Sequence, residues 1–239
     1  MFKWLFKLLN TPSSFFIYIY AMQATKKRLL IVFACFFTLS AFSQPFISEI
    51  NAYKKADSVY APANNAILFV GSSSIRLWKD YSIYFPGYPI INRGVGGASL
   101  PDIIRYTNDI IIPYKPKQIV VYCGENDFLA SDTVTALLVT NRFKTLFYSI
   151  RAQLPKVHIA FVSIKPSPSR IKFRSAIIET NAAIEQFLKK QKRSAFINVW
   201  DDMVDANGIP LPDLFLKDSL HMNPNGYAIW QKKINPFLK

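Results

Sequence analysis

The sequence predicts a doubly wound, three-layer α/β/α domain. Five short runs, at residues 66–70, 89–92, 118–123, 158–164 and 195–200, are apolar on both faces, as buried parallel strands are. Helical patterns separate these runs, which points to strand–helix–strand crossovers. A length of 239 residues with 51% hydrophobic content suits one α/β domain and excludes a disordered chain.

Residues 1–43 stand apart from that domain. They hold Lys3, Lys7, Lys26, Lys27 and Arg28 and no acid. Residues 22–28 are a basic start and residues 29–39 an apolar stretch. Ala41 and Ser43 then place small residues before a cleavage point at Gln44, the pattern of an export signal. The stretch is shorter than the roughly 20 residues a membrane span needs. A retained anchor and a lipoprotein form through Cys35 are the competing readings. Residues 1–21 read either as sequence upstream of a start at Met22 or as a long leader. The expected product is a single exported domain of residues 44–239, periplasmic or secreted. Of the 29 basic residues, 24 remain in it against 15 acids, so the formal charge of +14 falls to +9. Cys123 is its one cysteine, which excludes an internal disulfide.

Within the domain, residues 132–152 place Phe143, Leu146, Phe147, Ile150 and Leu154 at helical spacing, with Ser131 as candidate cap. Residues 171–191 repeat the pattern with Ile177, Asn181, Ile184 and Leu188. The last helix starts at Asn223-Pro224, a cap residue followed by Pro in the first turn, and uses Tyr227, Trp230, Ile234 and Phe237. No repeat or linker interrupts the chain.

In such sheets, chemistry collects at the carboxyl ends of the strands. The first strand runs into Gly71-Ser72-Ser73-Ser74, where a serine hydroxyl can stand above the sheet with its N–H facing a developing oxyanion. The alternative is that the serines only cap a helix. No G-x-S-x-G elbow is present, which argues against an α/β-hydrolase. The second strand ends in Gly94-Val95-Gly96-Gly97, without the full fingerprint of a dinucleotide site. The third ends in Gly124-Glu125-Asn126-Asp127, where Asn126 is either an oxyanion donor or an Asx-turn residue. Asp218 and His221 precede the last helix, close enough for a carboxylate to orient an imidazole. The sequence holds two histidines; His158 lies in an apolar strand and reads as structural, leaving His221 as candidate base. So few His and Cys argue against a transition-metal site.

With these four blocks in order, residues 66–238 resemble the SGNH hydrolase superfamily, the GDSL-like lipases and acylhydrolases. The similarity is greatest to the branch of platelet-activating-factor acetylhydrolase and lysophospholipase. The resemblance implies a flavodoxin-like, five-stranded parallel sheet between helices, and no cofactor or metal. It also implies Ser73 as nucleophile, His221 and Asp218 as its partners, and Ser73, Gly97 and Asn126 as the oxyanion hole. Ser72 departs from the pattern, standing where these proteins usually have Asp.

A serine esterase acting on a small-molecule, lipid or glycan ester is the function so implied. A lysophospholipid, a thioester and an acetylated polysaccharide are the candidate acyl donors. Phe128 and Leu129 would either wall the acyl pocket or pack in the core, and the segment 165–170 would border the site. A silent carbohydrate- or lipid-binding module on the same fold is the competing class. Nucleic-acid binding has only charge in its favour and no recognition motif. Residues 165–193 hold eight basic residues and two acids. Such a run reads as a solvated face or as a patch for an anionic membrane surface. No oligomeric state is implied.

Overall fold

Five strands pair in parallel in the order β2-β1-β3-β4-β5. They are β1 (Ile67–Gly71), β2 (Ile90–Gly94), β3 (Gln118–Tyr122), β4 (His158–Val162) and β5 (Ser194–Ile197). The computed structural model describes residues 45–239, so the export segment expected at 1–43 lies outside the described residues. Each strand overlaps one of the apolar runs, and the flavodoxin-like three-layer fold is the one observed.

Alternation along the strands feeds two cores. Leu68, Val70, Ile119 and Val121 face one layer, built from α1 (Ile47–Val59), α4 (Leu100–Arg105), α5 (Thr107–Ile110), α6 (Ala136–Gln153) and α7 (Arg174–Lys189). Ile67, Phe69, Val120 and Tyr122 face the other, built from α2 (Ser73–Leu77), α3 (Tyr81–Tyr84) and α8 (Pro224–Ile234). Burying each large apolar side chain stabilises the fold by roughly 1.5–3 kcal/mol. The second layer is strongly aromatic: Trp78 stacks on Tyr227 at 5.0 Å and meets Trp230 edge-on at 6.0 Å.

Helix boundaries differ from the pattern reading in three places. The helix expected from 132 starts at Ala136, and its cap is Thr135, whose hydroxyl accepts from the Leu138 N–H at 3.2 Å. Ser131 instead pairs with Thr133 at 2.9 Å. The helix expected from 171 starts at Arg174, because Pro168 opens a 3-10 turn over Pro168–Phe173. Phe237 falls beyond α8, in a 3-10 turn over Asn235–Phe237. The last helix begins at Pro224 as expected, with the Asn223 side chain accepting from the Asn225 and Gly226 N–H groups.

Helix α1 has no counterpart among the expected elements, because only Ile50 of it is buried. Its inward face is mostly polar and does the anchoring. Glu49 holds Arg76 at 2.5 Å and accepts from the Gly96 N–H at 3.2 Å. Tyr53 donates to the Gly94 carbonyl, and Asp57 takes Arg93 and, at 2.5 Å, Tyr114. These contacts tie the glycine turn after β2 to the body of the fold.

Two devices shape the carboxyl edge. Gly71 has φ 143°, and a Cβ there would lie 1.8 Å from the Tyr122 carbonyl oxygen, so only glycine lets β1 turn beside β3. Behind the loops sits a buried ion pair. Lys165 Nζ donates to Glu125 Oε2 and to Ser167 Oγ, both at 2.7 Å, and Lys165 is 0% exposed. Ser167 donates to the other Glu125 oxygen, and the Tyr122 hydroxyl donates to Oε2 at 2.9 Å. Burial pushes the Lys165 pKa down, while the Glu125 carboxylate pulls it back up. Removing one partner of such a pair leaves the other charged and dry. We therefore expect Lys165→Met to cost about 3–5 kcal/mol. The loss should be read as a lower urea midpoint at unchanged slope, with Lys165→Met/Glu125→Gln recovering part of it. A wild-type midpoint in the single variant would contradict the buried pair.

Candidate active site

Ser73 is the first residue of α2, directly after the glycine turn, so its N–H has no acceptor within the helix. Ser72 and Ser74 on either side are buried, whereas Ser73 is partly open to solvent. The turn thus exposes one hydroxyl of the three.

His221 comes to that hydroxyl from the far end of the chain. The segment before α8 folds back on itself, with Leu216 N–H donating to the His221 carbonyl at 2.7 Å and Phe215 bridging Met222. Ser219 takes a left-handed conformation at φ 56°, which lets Asp218 and His221 face each other. His221 Nε2 lies 3.0 Å from Ser73 Oγ, and Nδ1 lies 2.6 Å from Asp218 Oδ2. Asp218 Oδ1 accepts the Leu220 and His221 N–H groups, each at 3.0 Å. Partial burial opposes ionisation of Asp218, but the hydrogen bonds from the imidazole and the two N–H groups outweigh it and bring the pKa down to about 2. An ionised carboxylate only accepts, so the imidazole carries a proton on Nδ1 and presents Nε2 to the serine.

Gly97 and Asn126 complete the group. Gly97 has φ 80°, and a Cβ there would meet nothing within 4 Å, so its backbone borders open space. The Asn126 amide donates to Ser72 Oγ at 2.9 Å and to the Ala98 carbonyl at 3.1 Å. Here the departure at Ser72 finds its local consequence: a neutral hydroxyl, not a carboxylate, receives the Asn126 amide. Asp127 is 0% exposed; it accepts the Leu100 N–H at 2.9 Å and Arg142 at 2.8 Å, locking this loop to the glycine loop. Burial raises the Asp127 pKa despite these two donors.

All five residues singled out in the sequence therefore meet at one edge of the sheet. Missed by sequence reasoning were Glu49 and the Lys165–Glu125 pair, whose roles depend on contacts distant in the chain. His158 opens β4, at the opposite end of the sheet, and is partly exposed. Cys123 is a free, buried thiol whose pKa burial pushes well up. Phe128 is a packing residue, stacked on Phe173 at 5.7 Å, while Leu129 is exposed. Among the described residues no cluster of three or more His, Cys, Asp or Glu is placed to hold a metal ion, and no helix is long and apolar enough to cross a membrane. A cavity of about 250 Å³ between α7 and β5 contains none of the five residues. Its polar lining is bonded internally, Asn181 to Ile164 and Asn198 to Asp201.

The basic run, read as a solvated face or as a patch for an anionic surface, is not one continuous surface. Lys165 is buried, Arg174 is bonded to the Gly208 and Asn207 carbonyls, and Lys189 pairs with Glu185 at 2.8 Å. Helix α7 carries residues 189–193 to the other end of the sheet, about 24 Å away at 1.5 Å per residue.

Residues 71–229 match the GDSL-like lipase/acylhydrolase family. Among solved structures, the chain is 22% identical to a GDSL-like lipase from Bacteroides thetaiotaomicron, covering 79% of this chain and 96% of that one at a TM-score of 0.67. A Streptococcus pneumonia protein provisionally described as a platelet activating factor is 20% identical, with 92% and 99% covered and a TM-score of 0.69. A family 3 carbohydrate esterase from Clostridium thermocellum is 20% identical, with 73% and 97% covered and a TM-score of 0.55. Such identities speak to the fold alone. Among curated proteins nothing matches. The family match spans most of the chain and every block of the site, and the chain accordingly belongs to the GDSL-like lipase/acylhydrolase family of the SGNH superfamily, as a carboxylic ester hydrolase.

Proposed function

We propose that Ser73, His221 and Asp218 act as nucleophile, general base and orienting carboxylate in the hydrolysis of lysophospholipid-type or short-chain acyl esters. The observation that carries this is the line of contacts from Ser73 Oγ through His221 to an ionised Asp218. Ser73 Oγ attacks the ester carbonyl as its proton passes to His221 Nε2. The oxyanion formed is held by the N–H groups of Ser73 and Gly97 and by the Asn126 amide, which gives up its longer bond to Ala98. Collapse expels the alkoxide, which takes the proton from His221 and leaves an acyl-serine. Water, deprotonated by His221, then attacks the acyl carbon; the acyl–Ser73 bond breaks as His221 returns the proton to Ser73 Oγ, and the carboxylic acid released ionises in solvent.

The fold shared with a carbohydrate esterase favours acetylated glycans as the second substrate class. The basic and apolar composition of residues 22–43 supports action outside the cytoplasm.

Ser73→Ala should lower kcat on short p-nitrophenyl esters by on the order of 10⁶ with the thermal midpoint unchanged. Ser74→Ala should stay active; the reverse result would move the nucleophile by one residue. Asn126→Ala should lose about 10²–10³ in kcat, measured on the same esters.

Asp218 sets a second expectation. Its folded pKa of about 2 lies below the ordinary carboxylate value, so its contact with His221 supports the fold above about pH 4 and weakens as pH falls towards 2. Between about pH 4 and 8 it holds its charge, so the acid limb of log kcat/KM should have a slope of one. A slope of two would show Asp218 titrating within the working range.

A further inference from the structure

Arg170 is a partly buried cation with no good acceptor, in a turn whose backbone is bonded to the His221 loop. It lies in the turn after β4, partly buried, and its Nε is shut off from solvent without a hydrogen-bond partner among the described residues. One terminal nitrogen reaches the Ser169 carbonyl only at 3.5 Å, at the limit of a hydrogen bond. Other arginines are better served. Arg76, Arg93 and Arg142 each hold a carboxylate, and Arg151 and Arg174 each hold backbone carbonyls. Arg105 and Arg193 are exposed to water.

The position of Arg170 is fixed from both sides. Its N–H donates to the Ser167 carbonyl at 2.9 Å, and Ser167 belongs to the buried Lys165–Glu125 network. The N–H of Ser169 donates to the Ser219 carbonyl at 3.0 Å, between Asp218 and His221. The anions nearby are already engaged: Glu125 by Lys165, and Asp218 by His221 and two N–H groups. A guanidinium partly withdrawn from water loses solvation unless an anion replaces it, and its planar fork suits a carboxylate or phosphate.

We propose that Arg170 selects esters whose alcohol half carries a carboxylate or phosphate group. The alcohol half is assigned because His221 protonates the departing alkoxide, and the Arg170 turn is bonded to the loop that carries His221. This rests on the Ser73–His221 reading of the site. Arg170 is a specificity-determining residue and takes no part in the bond changes.

The test compares 4-acetoxybenzoate with neutral 4-acetoxybenzamide, which differ in the charge on the alcohol half, by release of the phenol. The wild-type enzyme should favour the anion in kcat/KM, chiefly through KM. Arg170→Gln should lower that preference by about tenfold to a hundredfold, and Arg170→Lys should keep part of it. The wild-type preference should also shrink as salt is raised. Hydrolysis of both esters without preference would overturn the role of Arg170 and leave the Ser73 reading intact. A preference that survives in Arg170→Gln would assign it to another cation and also overturn the proposal. Hydrolysis of neither ester, with no fluorophosphonate adduct at Ser73, would overturn the Ser73 reading and Arg170's role with it.

Discussion

Burial of the sheet on both faces is the constraint from which the rest follows. Side chains of β1, β3 and β4 enter dry layers on either side, so these strands have no room for chemistry along their length. Polar groups can sit only where the strands end. Parallel pairing brings the carboxyl ends of the strands to one edge; three of the four polar blocks lie in the loops after β1, β2 and β3, and the fourth, Asp218–His221, lies in the segment before α8. A site on this fold is therefore assembled from segments far apart in the chain, three of them brought in by strands that are themselves inert.

Loops so placed need something to hold them, and here they hold one another. Asn126 is bonded to Ser72 and Ala98, and Asp127 to Leu100, which joins three of the loops. Glu125 and Lys165 join the third strand's loop to the fourth's, and the Ser169–Ser219 contact joins that one to the His221 loop. Glu49 braces the glycine loop from behind through Gly96. Charged groups serve as fasteners because a buried carboxylate accepts several donors at once, and each unmet donor would be costly in a dry setting. The residues proposed for the chemistry, by contrast, stay partly open: Ser73, His221 and Gly97 all border solvent.

Legibility in the sequence tracked apolar content. The central strands β1, β3 and β4 and the start of α8 were readable because burial on two faces and an Asn-Pro cap are local signals, whereas the edge strands β2 and β5, only half-buried, showed through their apolar content alone. Helix α1 was not, since it buries one residue and works through Glu49, Tyr53 and Asp57, whose spacing shows a polar face with no apolar stripe. Thr135 displaced Ser131 as a cap because several hydroxyls precede that helix and only backbone geometry selects among them. The basic run from 165 to 193 looked continuous as composition, yet Lys165 lies in the interior and a helix separates the remaining charges.

By itself, the sequence determined the layered α/β class, the order of the polar blocks and the residue types able to do ester chemistry. Each depends on periodicity or on neighbours a few positions apart. Tertiary structure decided which serine of three is exposed, that Ser72 receives the Asn126 amide, and that Lys165 is an interior fastener while Arg170 keeps its charge unpaired. Those outcomes depend on contacts between segments 40 or more residues apart, such as Ser72 with Asn126 and Ser73 with His221. A chain pattern carries no distance between such segments, because only the folded sheet brings their loops together.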